Sequence, residues 1–154
     1  MSPKTCIFEC STATYLECIQ KNLFASNLPW PIQANEGDFC FLYHYELSAL
    51  FGLWQATANG GRNLVPRAWG GRFPFQVRVR LITPSIPEFP KSTVPETLLN
   101  PETGKFNNIL TPDQGDTLFR LIHSPAGGLR PPGGYPEATL RLYGSQPVAT
   151  PKPP

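Results

Sequence analysis

The segment Leu50–Leu81 brings together residue types that bind flat or anionic groups. It contains two tryptophans, Trp54 and Trp69, and no acidic residue. Its arginines are Arg62, Arg67, Arg72, Arg78 and Arg80. A guanidinium pairs with phosphate through parallel hydrogen bonds, and an exposed aromatic ring stacks on a base. The segment therefore predicts a local basic surface with aromatic rings, suited to phosphates and bases.

The overall composition limits the classes of function. The formal net charge of the 154 residues is only +2, so a basic surface must be a local patch. No run approaches the roughly 18 apolar residues that span a bilayer. The N-terminal residues MSPKTCIFECSTATY lack the apolar run of a secretory signal. We therefore expect an intracellular protein, cytoplasmic or nuclear, with no membrane partner.

The reactive side chains do not form a catalytic or metal-binding pattern. The cysteines at positions 6, 10, 18 and 40 fit no standard zinc spacing, and we expect buried free thiols. His44 lies in an apolar run, which is typical of a core histidine. The chain has no GxSxG motif, and its Gly-Gly pairs lack the lysine of a phosphate loop. We expect no enzyme activity, no metal and no cofactor.

The apolar pattern predicts short strands with two helices, one near each end. The helix after the first strand carries Thr14 and Glu17 at capping-box spacing, with Leu16, Ile19, Leu23 and Phe24 inward. The second helix starts at Thr111, before Pro112. The predicted strands are Thr5–Cys10, Asp38–Leu47, Leu50–Thr57 and Phe75–Ile82. This order favours an α+β fold, a small mixed β-barrel with flanking helices.

Local patterns refine this outline. Gly52 within its strand indicates a bulge or a close backbone approach. Phe75–Ile82 alternates strictly, which turns Gln76, Arg78 and Arg80 toward a basic face. We predict a domain over residues 5–124, with an extended, irregular segment at 84–95. A Pro/Gly-rich extension follows at 125–154, with one candidate edge strand at 138–143 and a mobile tail.

The residues from Ile7 to about Pro87 resemble the plant-type development and cell death (DCD) domain. The opening IFEC contributes, and so does the long stretch FCFLYHYELSALFGLWQATANGGRNLVPRAWGGRFPFQVRVRL. The pattern LxxLFGxWxATxxGGxNLxPxAWGGRFPxQVR is long and specific. DCD proteins from plants are linked to stress responses and programmed cell death, but the resemblance implies no defined chemistry.

In weaker outline the chain also resembles a YTH domain. KNLFASN, AWGGRF and the helix from Thr111 to Ile122 fall where that family has similar features. The resemblance implies the PUA-like fold that YTH and EVE domains share. YTH domains hold a methylated adenine in an aromatic cage.

Carried over to this sequence, that cage assigns roles to several residues. Trp69 becomes one wall, and Phe24 stands where YTH domains have tryptophan. The rings available for a third wall are Trp30 and Trp54, of which Trp54 fits the core better. Ser11 and Thr12 would offer hydroxyls, and the arginines would hold phosphates.

Each of these assignments has a structural alternative. Trp69 would close one end of the barrel, and Arg78 and Arg80 would form a solvated face. Arg72 would tie down its own loop by binding carbonyls. Ser11 and Thr12 would cap the first helix.

Two functional hypotheses follow from these residues. The preferred one is a non-enzymatic reader that binds RNA or DNA and accepts one base, plain or modified, into an aromatic pocket. The alternative is a protein-interaction module in stress or cell-death signalling that binds a peptide partner in the same cleft.

Overall fold

The computed structural model describes residues 3–123, which form seven strands and two α-helices. In chain order they are β1 (Thr5–Cys10), α1 (Thr12–Lys21), β2 (Leu23–Ser26), β3 (Phe39–His44), β4 (Ala49–Ala56), β5 (Gly61–Arg62), β6 (Phe75–Leu81), β7 (Glu88–Pro90) and α2 (Pro112–Ile122). The predicted extension at 125–154, with its candidate strand at 138–143, lies outside the described residues. Within the described part neither helix is long and apolar enough to cross a bilayer.

The strands form one mixed sheet that curls but does not close. The hydrogen-bonded order is β1-β3-β4-β6-β2, with β5 on β6 and β7 on β4. Among the strand pairs of residues 3–123, only β1–β3 is parallel. The end strands β1 and β2 lie side by side without a ladder, with the Phe8 and Phe24 ring centroids 5.5 Å apart. The predicted α+β class, with a small mixed sheet and two helices, is confirmed, and the sheet stays open between β1 and β2.

Two apolar clusters cover the two faces of the sheet. The inner cluster contains Phe8, Phe24 and Trp54, and Trp54 is a core residue as predicted. In the outer cluster α2 contributes the buried side chains Leu118 and Ile122. Strict alternation along β1 divides its side chains between the two clusters.

A close contact explains Gly52 in the middle of β4. A Cβ atom at this position would overlap the Phe41 ring of the neighbouring strand. The β3–β4 register shifts between Cys40 and Leu42, beside this contact. The predicted close approach at Gly52 is therefore confirmed.

The two helix starts differ in how well their sequence signal worked. For α2, Thr111 Oγ1 accepts from the Gln114 N–H at 3.1 Å, and Gln114 Oε1 accepts from the Thr111 N–H at 3.0 Å. For α1 the predicted cap at Thr14 was wrong. Ser11 is the N-cap, and its N–H donates to Thr14 Oγ1 at 2.9 Å.

The end of α1 also differs from the prediction. Asn22 adopts a left-handed conformation with φ of 50°, and the chain turns directly into β2. Leu23 and Phe24 are therefore strand residues rather than part of the helix's inner face. That face is formed by Tyr15 and Cys18, the buried residues of α1.

Two further expectations were wrong. The segment predicted as irregular contains β7, which pairs with β4. Gln76 was placed on a solvated face with Arg78 and Arg80, yet it is buried. The loop between β5 and β6 covers this end of β6, and the side-chain amide of Gln76 forms hydrogen bonds to that loop.

Candidate functional site

A cavity of about 440 Å³ lies in the gap between β1 and β2. The end of β1 and the start of α1 form one wall through Glu9, Cys10, Ser11, Ala13 and Thr14. The end of β2 and the loop after it form the opposite wall through Ala25, Ser26, Asn27, Leu28 and Trp30. Tyr45, Arg72, Phe73 and Asn108 complete the lining. The cavity therefore occupies the place where the sheet fails to close.

Aromatic rings reach the cavity from three parts of the chain. Trp30 is half-buried, and its ring centroid lies 4.5 Å from that of the buried Phe8. Phe73 is half-buried and packs edge-on against Trp69 with centroids 5.8 Å apart. Tyr45 is the most exposed of the three, with 53% of its surface accessible. Two rings are therefore held by the core, and the third stands at the mouth.

Trp69 supports the wall of the cavity from behind and does not line it. Its surface is only 5% exposed, and its indole Nε1–H donates to the Thr14 carbonyl at 3.1 Å. Its backbone N–H donates to Glu17 Oε2 at 2.7 Å. These bonds fix the loop that carries Phe73 against α1. The placement corrects the expectation of an exposed Trp69 wall, since the ring is buried against α1.

Phe24 is also unavailable to a ligand in this conformation. It is fully buried and packs against Phe8, at 5.5 Å, and Trp54, at 4.9 Å between ring centroids. Its side chain belongs to the inner apolar cluster. The predicted base-stacking role of Phe24 conflicts with this burial, since neither ring face is open.

The two residues predicted to offer hydroxyls, Ser11 and Thr12, differ in their position relative to the cavity. Ser11 lines the cavity, with its Oγ atom 3.4 Å from Thr14 Oγ1. Thr12 does not line it, because its Oγ1 lies 3.3 Å from Nε2 of the buried His44. The Thr12 N–H donates to Glu46 Oε1 at 2.7 Å. Of the two, only Ser11 is placed to contact a molecule in the cavity.

Backbone groups outside the ladders also face the gap. The Ile7 N–H points away from β3 and donates to the Asn108 carbonyl at 2.7 Å. Because backbone direction repeats every second residue in a strand, the N–H and C=O of Glu9 also point away from β3. Val79 N–H donates to the Asn22 carbonyl at 3.0 Å, which sets the pairing of β2 with β6. In this register the N–H and C=O of Ala25 face away from β6. The gap thus presents backbone donors and acceptors from both sides.

Two arginines lie on the cavity side of the molecule. Arg72 lines the cavity, its Nε–H donates to the Trp69 carbonyl at 3.1 Å, and its guanidinium lies 5.5 Å from the Phe73 ring centroid. Arg62 pairs with Phe75, which also pairs with the lining residue Ser26. The Arg62 guanidinium lies over the Phe75 ring at 5.5 Å. The predicted carbonyl contact of Arg72 is confirmed.

The other arginines lie elsewhere. Arg78 and Arg80 extend from the opposite face of β6, where Arg78 donates to the Leu64 carbonyl at 3.4 Å and Arg80 to Gln55 Oε1 at 2.9 Å. Arg67 is exposed at the start of the 3-10 turn Ala68–Gly71. The five arginines therefore do not converge on one site.

The loop between β5 and β6 is held by one buried amide. Gln76 Oε1 accepts from the Val65 N–H at 2.7 Å, and Gln76 Nε2 donates to the carbonyls of Val65, at 3.1 Å, and Phe73, at 3.0 Å. The same loop is bound to α1 through Trp69. Phe73 and Arg72 are thus presented to the cavity by a well-anchored segment.

Three ionisable groups in or near the cavity have shifted pKa values. Burial, with a smaller contribution from Cys18, raises the pKa of the Cys10 thiol well above its usual value, so the thiol stays protonated. Burial lowers the pKa of His44 below 6.5. The Thr12 N–H bond lowers the pKa of Glu46, which stays ionised. The cysteines are free and buried, and residues 3–123 contain no cluster of three or more metal-binding side chains.

Several lining residues gave no distinctive sequence signal. Tyr45 alternates with Phe39, Phe41 and Tyr43, and it therefore reads as another inward residue of its strand. In fact β3 ends at His44, and Tyr45 turns outward. Phe73 lies four residues after Trp69 in the loop and carries no pattern that distinguishes it from a core residue. Only the position of the strand end and the direction of the loop distinguish these residues.

Comparison with known domains supports the topology. Residues 4–122 match the profile of the "Development and cell death domain". The Glycine max DCD domain-containing protein NRP-B is 35% identical over an alignment covering 47% of this chain and 25% of that protein. The Daucus carota B2 protein is also 35% identical, and the alignment covers 47% of this chain and 40% of B2. The chain thus spans a quarter to two fifths of these relatives.

Solved YTH domains share the fold. The YTH domain of Zygosaccharomyces rouxii MRB1, solved with N6-methyladenosine RNA, superposes with a TM-score of 0.56 at 12% identity, covering 78% of this chain and 86% of that chain. The Pho92 YTH domain, solved with m6A, gives 0.57 at 11%, covering 80% and 85%. The Mmi1 YTH domain, solved with RNA, gives 0.58 at 13%, covering 79% and 78%. With its fold shared by YTH domains and its sequence matched over residues 4–122, the chain belongs to the development and cell death domain family.

Proposed function

We propose that this domain is a non-enzymatic nucleic-acid reader that accepts one unpaired base, plain or modified, into the gap between β1 and β2. The observation that carries the proposal is the cavity of about 440 Å³, with aromatic rings and an arginine in its lining. Its volume falls within the range of about 300–1,000 Å³ that is usual for small-molecule sites.

The rings at the cavity are suited to stacking. Trp30 packs against Phe8, and Phe73 packs against Trp69, so both rings are positioned before a ligand binds. A pre-positioned ring loses little side-chain entropy on binding. Stacking of a base on an aromatic side chain contributes about 1–3 kcal/mol. We therefore assign the stacking role to Trp30 and Phe73, with Trp69 as a positioning residue.

Polar groups in the gap are suited to the edge of a base. The backbone groups of Glu9 and Ala25 face the gap, and Ser11 adds a hydroxyl. Bases in single strands are read by hydrogen bonds to their exposed edges and by stacking on their faces. Fixed backbone groups would discriminate between bases without any side-chain movement.

The arginines on the cavity side are suited to the adjoining phosphates. Arg72 is in the lining, and Arg62 lies two strands from Ser26, about 10 Å at the usual spacing of strands. Arg78 and Arg80 face the other way, so they would contact only a longer strand. Arg67 is exposed on the loop and would join such a contact.

The named structural neighbours support this choice of ligand. Each of the three YTH domains compared above was solved with RNA or with m6A. At 11–13% identity they share the fold with this chain, and the ligand is our extension.

A direct binding assay tests the proposal. Fluorescence anisotropy would measure the Kd for single-stranded RNA and DNA oligonucleotides, with and without one N6-methyladenosine, over a series of salt concentrations. We expect binding that weakens with salt, because each phosphate contact releases counterions. Phe73→Ala should weaken binding, and Leu16→Ala, an exposed change on α1 outside the cavity, should not.

The same assay distinguishes a nucleic-acid ligand from a peptide ligand. Absence of binding to every oligonucleotide at low salt would contradict the proposal. A peptide in the cleft would bind with little salt dependence and would need strand edges. Residues 108–110 already cover β1 at Thr5 and Ile7, which leaves a short edge for a peptide.

A further inference from the structure

We infer that Tyr45 is a second stacking position, which holds the base next to the one in the cavity. The inference rests on the proposed function and names a longer ligand for the same site: an oligonucleotide of at least two nucleotides. Tyr45 lies at the mouth of the cavity and is not among the binding residues predicted from the sequence.

Tyr45 and Phe73 both line the cavity and come from the two sides of the gap. In the order β3-β1-gap-β2-β6, Tyr45 follows the last residue of β3, and Phe73 precedes β6. The two rings therefore flank the gap on opposite sides, each beyond one intervening strand. The exposed ring of Tyr45 is therefore open to the base next to the one in the cavity.

The position of Tyr45 is fixed although its ring is exposed. Its backbone N–H donates to the Cys10 carbonyl at 3.2 Å, at the end of β1. Its side chain lines the cavity and is still 53% exposed. Leu28, 58% exposed, is the other large apolar residue of the lining with most of its surface in solvent. An exposed tyrosine on an anchored backbone offers stacking area at low entropic cost.

The charges on this side of the mouth favour a base over a phosphate. Glu9 lines the cavity, and Glu46 follows Tyr45 directly and is held by the Thr12 N–H. Arg62 and Arg72 lie on the opposite side, near β5 and β6. Phosphates should therefore follow the arginine side, because the carboxylates repel them. The uncharged plane of the neighbouring base is the part that fits beside Tyr45.

The test compares ligands of different length on matched variants. Calorimetry or anisotropy would measure Kd for a mononucleoside, and for dinucleotides and trinucleotides that extend it in the 5′ or the 3′ direction. The variants are Tyr45→Ala, Tyr45→Phe and, as a control, Phe119→Ala. Phe119 is a 38% exposed ring on α2 that does not line the cavity. Thermal unfolding would verify that all variants are folded.

We expect Tyr45→Ala to weaken oligonucleotide binding by about 5-fold or more and to leave the mononucleoside Kd unchanged. Tyr45→Phe, which keeps the ring, should bind like the wild type, and so should Phe119→Ala. If only the 5′-extended or only the 3′-extended ligands lose affinity, that result identifies whether the 5′ or the 3′ base stacks on Tyr45.

Three results would overturn the inference. If Tyr45→Ala weakens mononucleoside and oligonucleotide equally, Tyr45 belongs to the inner pocket. If neither changes while the wild type binds, Tyr45 has no stacking role and the proposed function stands. If the wild type binds no nucleic acid, the proposed function fails and this inference fails with it.

Discussion

The gap between β1 and β2 is filled with aromatic rings at one end and open at the other. In the filled part Phe24 lies between Phe8 and Trp54 and is inaccessible to solvent. At the open end Trp30 and Phe73 each pack against one buried ring, line the cavity and are only half-buried. The same residue type therefore serves stability in one place and is free for binding in the other. What separates the two uses is how much of each ring is buried.

The largest expected effect lies at the filled end. Phe24→Ala should lower the free energy of unfolding by about 3–5 kcal/mol, because a large buried ring is removed and a cavity remains. Chemical denaturation would measure the loss. Phe24→Leu, which retains more of the volume, should cost much less. A stable Phe24→Ala variant that has lost only its ligand affinity would reverse our assignment.

The matching change at the open end should affect binding and not stability. Phe73→Ala should weaken the Kd for single-stranded RNA by about 5- to 150-fold, which corresponds to the loss of one stacking contact of about 1–3 kcal/mol. Phe73→Tyr keeps the ring and should retain affinity. Anisotropy and thermal unfolding on the same samples give both numbers. A large fall in stability with unchanged affinity would place Phe73 with the core instead.

Salt dependence compares the cavity side of the molecule, where Arg72 lies, with the far face of β6, where Arg80 lies. Arg72→Ala should reduce the slope of log K against log salt by about one unit, because one phosphate contact is lost. Arg80→Ala, on the opposite face, is the matched control and should leave the slope for a short oligonucleotide unchanged. Equal slopes for both variants would show that the ligand does not prefer the cavity side.

The smallest effect concerns the wall of the cavity formed by α1. His44 is buried beneath that wall, and its Nδ1 accepts from the Leu47 N–H at 3.2 Å. Because burial lowers the pKa of His44 below 6.5, the folded state favours the neutral ring. The associated stability is complete above pH 6.5 and is lost as the pH falls from there toward the lowered pKa.

Urea denaturation over this pH range would measure the effect. His44→Asn keeps an acceptor near the Leu47 N–H and should flatten this part of the pH profile. A variant with the same slope as the wild type would show that other groups cause it.

Sequence patterns predicted the structure correctly where one or two residues determine a local feature. The capping pair Thr111 and Gln114 marked α2, and Gly52 marked a close contact, since both depend on one or two residues. The start of α1 was misplaced because Ser11, Thr12 and Thr14 are all plausible caps. The turn at Asn22 was missed because a left-handed asparagine carries little signal in sequence.

The cavity was less predictable because it depends on which strands fail to pair. Tyr45 and Phe73 meet the cavity only through the order β3-β1 and β2-β6, which joins distant parts of the chain. Phe24 and Trp69 were expected at the surface by analogy, yet their rings fill space behind the wall. Gln76 looked solvated because its covering loop could not be placed from the alternation of one strand.

The three hydrogen bonds of Gln76 couple the two ends of the loop that ends at Phe73. Val65 and Phe73 share one carboxamide, and its oxygen and nitrogen both take part. Glutamate has the same shape but no N–H, so Gln76→Glu would set a carboxylate against the carbonyls of Val65 and Phe73. Such a change would free both ends of the loop together, while its middle stays bound to α1 through Trp69. Ligand entry and exit that required this release would therefore be a single cooperative event, on the microsecond to millisecond scale of collective motions.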